Sequence, residues 1–221
     1  GARTTLCAPG GREVASKIAG IMGVEDAGET EPAFAICSCQ KQGVACAYDY
    51  QGPPTCLDAS APGLAGGPLA CAYGCLGFSD CAAACPFDAI HMGPDGLPHV
   101  DEEACTGCKR CVPACPRGLM RVDPESRVIF VRCTNRDKGA KANKLCEHAC
   151  IACRKCEKEC PFDAIHVVDN VAVIDYDKCK QCGKCVKVCP KGVIVNLRKE
   201  RRERKKQREA STAETRTGEG A

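Results

Sequence analysis

The stretch CIACRKCEKECPFDAIH, residues 150–166, identifies the architecture. Its thiols fall as Cys150-x2-Cys153-x2-Cys156-x3-Cys160, with Pro161 next. Three Cys at this spacing let one short loop wrap a metal centre while its backbone N–H groups face the sulfurs. Pro after the fourth Cys removes a donor and sets the following turn. The spacing recurs at Cys105, Cys108, Cys111 and Cys115-Pro116, and again at Cys179, Cys182, Cys185 and Cys189-Pro190. Zinc sites also use Cys-x2-Cys pairs, but three runs of this form point to [4Fe–4S] clusters of the bacterial ferredoxin kind.

On either side of that stretch the chain repeats itself. CPFDAIH occurs at 85–91 and again at 160–166. Cys71, Cys75, Cys81 and Cys85 match Cys146, Cys150, Cys156 and Cys160 at an offset of 75. Cys105, Cys108, Cys111 and Cys115 match Cys179, Cys182, Cys185 and Cys189 at an offset of 74. Upstream, CSCQKQG at 37–43 aligns with CTNRDKG at 133–139, which pairs Cys37 with Cys133.

In two-cluster ferredoxins three Cys of a run hold one cluster and the fourth crosses to the other. That rule gives Cys150, Cys153, Cys156 and Cys189 to one centre, and Cys179, Cys182, Cys185 and Cys160 to its neighbour. In the first copy it groups Cys105, Cys108, Cys111 and Cys85. The remaining triplet is broken, because Phe78 stands where Cys153 stands in the second copy. The expected ligands there are Cys71, Cys75, Cys81 and Cys115, with a lost site or a [3Fe–4S] cluster as the alternative. The expected total is at least four clusters. Cys37, Cys39, Cys46, Cys56 and Cys7 remain as candidate additional ligands, although C-x-C-x6-C-x9-C is a cluster spacing without a clear physical rationale. Cys146 is expected to be a buried free thiol.

Composition agrees with metal-supported folding. Of 221 residues 23 are Cys, only 4% are aromatic and none is Trp. A core so poor in large side chains offsets little of the entropy of ordering the chain. Thiols two or three residues apart converge on metals more readily than they pair as disulfides, so a reducing compartment is expected. Charge is uneven: residues 198–221 carry nine Lys and Arg against five Asp and Glu, and the rest carries 22 against 23. Thiolate-ligated clusters would make that body acidic.

The expected fold class is α+β: two tandem bacterial-ferredoxin-like 2[4Fe–4S] modules with short β-hairpins and helices, preceded by an amphipathic helix. The boundaries are residues 1–32 for helix and linker, 33–126 and 127–197 for the modules, and 198–221 for a basic disordered tail. Val14, Ile18, Ile21 and Met22 recur at helical spacing between Pro9 and Gly23. Asp169-Asn170 and Pro94-Asp95-Gly96 supply hairpin turns. Residues 34–37 and 127–133 read as further strands, and residues 53–68 as an irregular loop.

CAPGG at 7–11, EVASKIAGIMGVE at 13–25 and ACAYGCLGFSDCAAACPFDAIH at 70–91 resemble the B subunit of the Rnf complex, a membrane-bound, ion-translocating ferredoxin:NAD oxidoreductase. The resemblance runs from Cys7 to Asn196. It implies an electron-transfer subunit with no catalytic residues of its own, placed at the cytoplasmic face of the cell membrane. Soluble ferredoxin or flavodoxin would be the donor, and the membrane subunits of the complex the partners. It also implies a transmembrane helix and three further Cys ahead of Cys7. This sequence starts after them, as a shortened form or a soluble relative would. The alternative is a polyferredoxin subunit of a soluble hydrogenase or molybdopterin enzyme. The chain has no run of 18 apolar residues. The basic stretch 198–209 could touch an anionic membrane surface peripherally. Without accompanying aromatic residues it does not read as binding nucleic acid. His91 and His166 read as structural or surface residues. Lys109, Arg110, Lys180 and Lys184 could offset cluster charge or meet an acidic ferredoxin.

Overall fold

The computed structural model describes residues 10–24, 31–61, 63, 64, 66–199, 201 and 202. Helix α1 (Gly11–Met22) ends on Gly23 at φ 62°, a left-handed cap that suits Gly. Its buried face differs from the expected stripe. Ala15 and Ala19 are buried, whereas Ile21 is 85% and Met22 67% exposed. Small side chains form the buried face, Val14 and Ile18 are half-buried beside it, and Ile21 and Met22 are left on the outer side.

The first half holds β1 (Ala33–Cys37), α2 (Cys56–Ala59), α3 (Asp80–Ala83), β2 (Ile90–Met92), β3 (Pro98–Val100) and β4 (Met120–Pro124). The second holds β5 (Ile129–Val131), α4 (Gly139–Leu145), α5 (Lys155–Glu159), β6 (Ile165–Val168), β7 (Val171–Ile174), α6 (Lys184–Val188) and β8 (Ile194–Asn196). Among the described residues the strands form four antiparallel two-stranded sheets, β1–β4, β2–β3, β5–β8 and β6–β7. Each half therefore has one hairpin and one sheet joining its first and last strands, the ferredoxin arrangement doubled. The β6–β7 hairpin turns at Asp169 and Asn170, φ 47° and 65°, as expected of that pair. The stretch expected to be irregular contains α2. Thr55 caps it by accepting a bond from the Asp58 N–H at 3.0 Å.

Strand register corrects one sequence equivalence. Cys37 pairs with Met120, while Val131 pairs with Ile194. The Ser38 N–H donates to Leu119 O and the Arg132 N–H to Val193 O, each at 2.8 Å. Since Leu119 and Met120 match Val193 and Ile194, Cys37 corresponds to Val131 and Cys39 to Cys133. The CSCQKQG alignment is two residues out of register, because pairing across the sheet, not local similarity, fixes the correspondence.

The period-2 alternation of β1 and β5 divides two kinds of core. Ala35 and Cys37 face the interior of the first module, and Ile129 and Val131 that of the second. Phe34 and Ile36 meet Phe130 and Leu197 on the seam between modules. Asp123, buried beside the seam, is ion-paired with Arg121 at 2.6 Å and Arg127 at 2.8 Å. Of the basic stretch 198–209, Arg201 lies back on the first module, paired with Glu102 at 2.7 Å and set over the Phe34 ring.

Candidate metal centres

One backbone device is used four times. The residues two and four positions before the third Cys of each run all have positive φ: Ser79 and Gly77, Lys109 and Gly107, Arg154 and Ala152, Gly183 and Gln181. So does the residue three after each fourth Cys, namely Asp88, Gly118, Asp163 and Gly192. Left-handed residues alternating with ordinary ones turn successive N–H groups inward, a nest suited to anionic sulfur. Non-Gly residues held there cost energy, which marks the conformation as functional. The broken loop around Phe78 keeps the full pattern.

Backbone N–H groups already reach several sulfurs. Ala89 donates to Cys85 Sγ at 3.4 Å, Leu119 to Cys115 at 3.3 Å, Ala164 to Cys160 at 3.4 Å and Ala35 to Cys105 at 3.4 Å. The third Cys of each run marks its neighbours. Burial pushes Cys156 up to about 12, with the charges of Cys150, Cys189 and Cys153 acting the same way. Burial likewise raises Cys185 to about 11, beside Cys179, Cys160 and Cys182. Cys111 is raised to about 11 by burial, then by Cys105, Cys108 and Cys85. Thiols so crowded ionise only when a metal supplies compensating charge.

Around the broken loop the set is different. Cys81 is pushed to about 12 by burial and then by Cys75, Cys115 and Cys56. Cys56 stands beside Cys81 as Cys153 stands beside Cys156 in the other module. It opens α2, where Asp80 accepts from the Cys56 N–H at 2.8 Å and the Leu57 N–H at 3.1 Å. Burial raises the Cys56 thiol, and the backbone N–H groups of Asp80 and Phe78 act against that. Cys37 lines one void of about 20 Å³ together with Cys56, Cys75, Cys81 and Cys115. The Cys37 and Cys75 thiols act on each other, which lowers Cys75 and, together with burial, raises Cys37.

Cys71, grouped by spacing with Cys75, Cys81 and Cys115, lies elsewhere. It lines a separate void with Cys39, Cys133 and Cys146. Cys46 is exposed and paired with Leu69 in an isolated bridge. Cys7 lies outside the described residues. The Cys56 position was hidden by its distance along the chain from Phe78, although Thr55-x-x-Asp58 is a helix-start signal in the sequence.

The donor set fits [4Fe–4S] clusters. Among the described residues every Cys is a free thiol, and no three His, Cys, Asp or Glu side chains converge on a single ion. The thiols instead ring small voids of about 20 Å³ each, one at Cys150, Cys153, Cys156 and Cys189 and one at Cys160, Cys179, Cys182 and Cys185. The buried Arg117 Nη2 lines the Cys56 void without a protein partner, a donor free for an inorganic sulfide.

Two family models, both described as 4Fe-4S dicluster domains, match the chain, one over residues 72–122 and the other over 104–165 and 149–194. Together with the Cys pattern they assign multiple [4Fe–4S] clusters to it. The chain is 46% identical over 189 residues to the B subunit of the Na(+)-translocating ferredoxin:NAD(+) oxidoreductase complex of Acetobacterium woodii, covering 85% of this chain and 56% of that one. It is 44% identical to the proton-translocating counterpart of Clostridium ljungdahlii, covering 86% and 67%. It is 41% identical to the B subunit of the ion-translocating oxidoreductase complex of Methanosarcina acetivorans, covering 88% and 73%. The chain thus spans little more than half the length of the first of these relatives.

Proposed function

The chain belongs to the family formed by the B subunits of Rnf-type ion-translocating oxidoreductase complexes, and we accordingly propose that it is an electron-transfer subunit of such a complex. The observation that carries this reading is the fourfold loop conformation around crowded thiols, two loops to each module. When bound, [4Fe–4S] clusters supply one-electron oxidation and reduction. The chain's own residues position the thiols, keep water from the buried ones and donate hydrogen bonds to sulfur.

The ligand sets we propose are Cys56, Cys75, Cys81 and Cys115; Cys85, Cys105, Cys108 and Cys111; Cys150, Cys153, Cys156 and Cys189; and Cys160, Cys179, Cys182 and Cys185. Cys56 replaces the Cys71 that spacing alone suggests, since it is the thiol beside Phe78. Cys37 acts as an S–H donor to Cys75, consistent with its counterpart in the second module being Val131.

The relatives are named as subunits of ferredoxin:NAD(+) oxidoreductase complexes, which supports ferredoxin as the donor; flavodoxin as a second donor, membrane subunits of the complex as acceptor and a place at the cytoplasmic face complete the proposal. Exposed Cys153 and Cys182 bring two centres to the surface, and Lys180 and Lys184 beside Cys182 suit an acidic donor. Among the described residues no helix is long and apolar enough to cross a membrane; the basic stretch 198–209 is the part of this chain we propose to touch an anionic membrane surface. A polyferredoxin subunit of a hydrogenase or molybdopterin enzyme is not favoured by the relatives.

Anaerobic mixing with reduced ferredoxin tests the proposal. The expected result is loss of visible absorbance and interacting S = 1/2 signals in electron paramagnetic resonance. Reduction by dithionite but not by ferredoxin would exclude that donor, and absence of S = 1/2 signals would overturn the electron-transfer reading. Cys56→Ala should lose about four irons per chain, whereas Cys37→Ala should lose none.

A further inference from the structure

We propose that Cys39, Cys71, Cys133 and Cys146 hold a fifth [4Fe–4S] cluster on the seam between the two modules, each module supplying two thiols. The inference rests on the chain being a cluster carrier, but it concerns residues that the four ferredoxin-type sites leave over.

Symmetry is the first argument. The sheet register makes Cys39 the counterpart of Cys133, and the 75-residue offset makes Cys71 the counterpart of Cys146. Local bonding repeats with them: the Cys75 N–H donates to Cys39 Sγ and the Cys150 N–H to Cys133 Sγ, each at 3.4 Å. Each half thus presents the same thiol pair, and the pairs meet across one void. A single buried Cys is ordinary packing. Four thiols, three of them buried, brought from both halves of a duplicated fold to one cavity, are not explained by packing.

Size and chemistry are the second argument. The cavity measures about 20 Å³, the same as the one ringed by Cys150, Cys153, Cys156 and Cys189. Cys39, Cys71 and Cys146 are each less than 9% exposed. Burial and the neighbouring Cys75 and Cys71 oppose ionisation of Cys39. Burial, Cys150 and Cys39 do the same for Cys133, raised to about 11. Such thiols bind as thiolates only to a cationic core, releasing their protons to solvent on loading.

Donors and positive charge are already there. Asn135, 2% exposed, donates from Nδ2 to Cys71 Sγ at 3.5 Å across the seam and is held by the Asp137 N–H at 2.7 Å. Arg132 lines the void and donates to Cys37 O at 3.0 Å and Cys39 O at 3.2 Å. Lys41 lines it too, bonded to Cys75 O at 3.0 Å. Two cations and an amide beside three buried thiols and the half-buried Cys133 match the charge of a thiolate-ligated cluster.

The test is iron and acid-labile sulfide analysis, with Mössbauer spectroscopy, on the whole chain reconstituted anaerobically. Five clusters give about twenty irons per chain, and four give about sixteen. Cys133→Ala and Cys146→Ala should each lose about four irons, and the double variant should lose the same four, because both thiols serve one cluster. Cys46→Ala should lose none. About sixteen irons in the unsubstituted chain, or full iron in Cys133→Ala and Cys146→Ala, overturns the fifth site. The unsubstituted count stands even if a variant fails to fold. A sixteen-iron chain with interacting S = 1/2 signals would sink this proposal and leave the electron-transfer reading intact. A chain without those signals would sink that reading instead.

Discussion

A thiol ligand is effective only where its backbone is already held, and Asp80 does this for Cys56. One carboxylate accepts from two successive N–H groups at the start of α2, tying that short helix to the loop that carries Cys81. Without Asp80, four residues of α2 would have little to fix them. His166 shows a neighbouring carboxylate acting on a surface group. Its Nδ1 lies 3.4 Å from Glu157 Oε1 and its Nε2 3.1 Å from Asp163 O, and both partners raise its pKa above the ordinary 6.5. A raised folded value means that this contribution to stability is complete below about 6.5 and is lost as pH rises through the folded pKa. Titration followed by NMR should place the His166 midpoint above 6.5, and Glu157→Gln should bring it down. A midpoint at or below that of free His would contradict the geometry.

Among the helices and loops, left-handed positions shape the turns and one glycine lets a helix reach its loop. A Cβ at Gly139, the first residue of α4, would run into the backbone carbonyl of Ile151. That carbonyl adjoins Cys150 and cannot swing aside like a side chain. Ala favours a helix over Gly by up to ~1 kcal/mol, but the forced shift costs ~1–3 kcal/mol, so the clash prevails. Gly139→Ala should lower the denaturation midpoint and reduce the iron held near Cys150. Gly20→Ala makes the control: nothing lies within 4 Å of its Cβ position, so the substitution should leave iron unchanged and stabilise α1. Equal effects from the two substitutions would show that α4 does not press on the loop.

Across both halves of the chain, the seam makes two modules one body. Phe130 is 1% exposed and packs with Phe34, Ile36 and Leu197, while Arg121 lies over its ring at 5.0 Å and also donates to Tyr176 OH at 2.8 Å. Truncating such an aromatic costs ~3–5 kcal/mol. Phe130→Ala, denatured chemically in the cluster-loaded state, should show a loss of that order. A loss below ~1 kcal/mol would mean that the modules are held together chiefly by the polar contacts of Arg132 and Asn135.

The cofactor class and the duplication are legible in the chain alone, as are the regular thiol groups we propose as ligand sets, because cluster loops are local: their thiols lie two or three residues apart and their backbone conformation is set within the same dozen residues. Both hairpins are legible for the same reason. Where Cys39, Cys56, Cys71, Cys133 and Cys146 belong emerges only from the folded molecule. Cys56 reaches Phe78 through a separate helix, and Cys39 finds its counterpart through strand register. The void at the seam exists only once two modules have packed, and no spacing along one chain records how two similar surfaces meet.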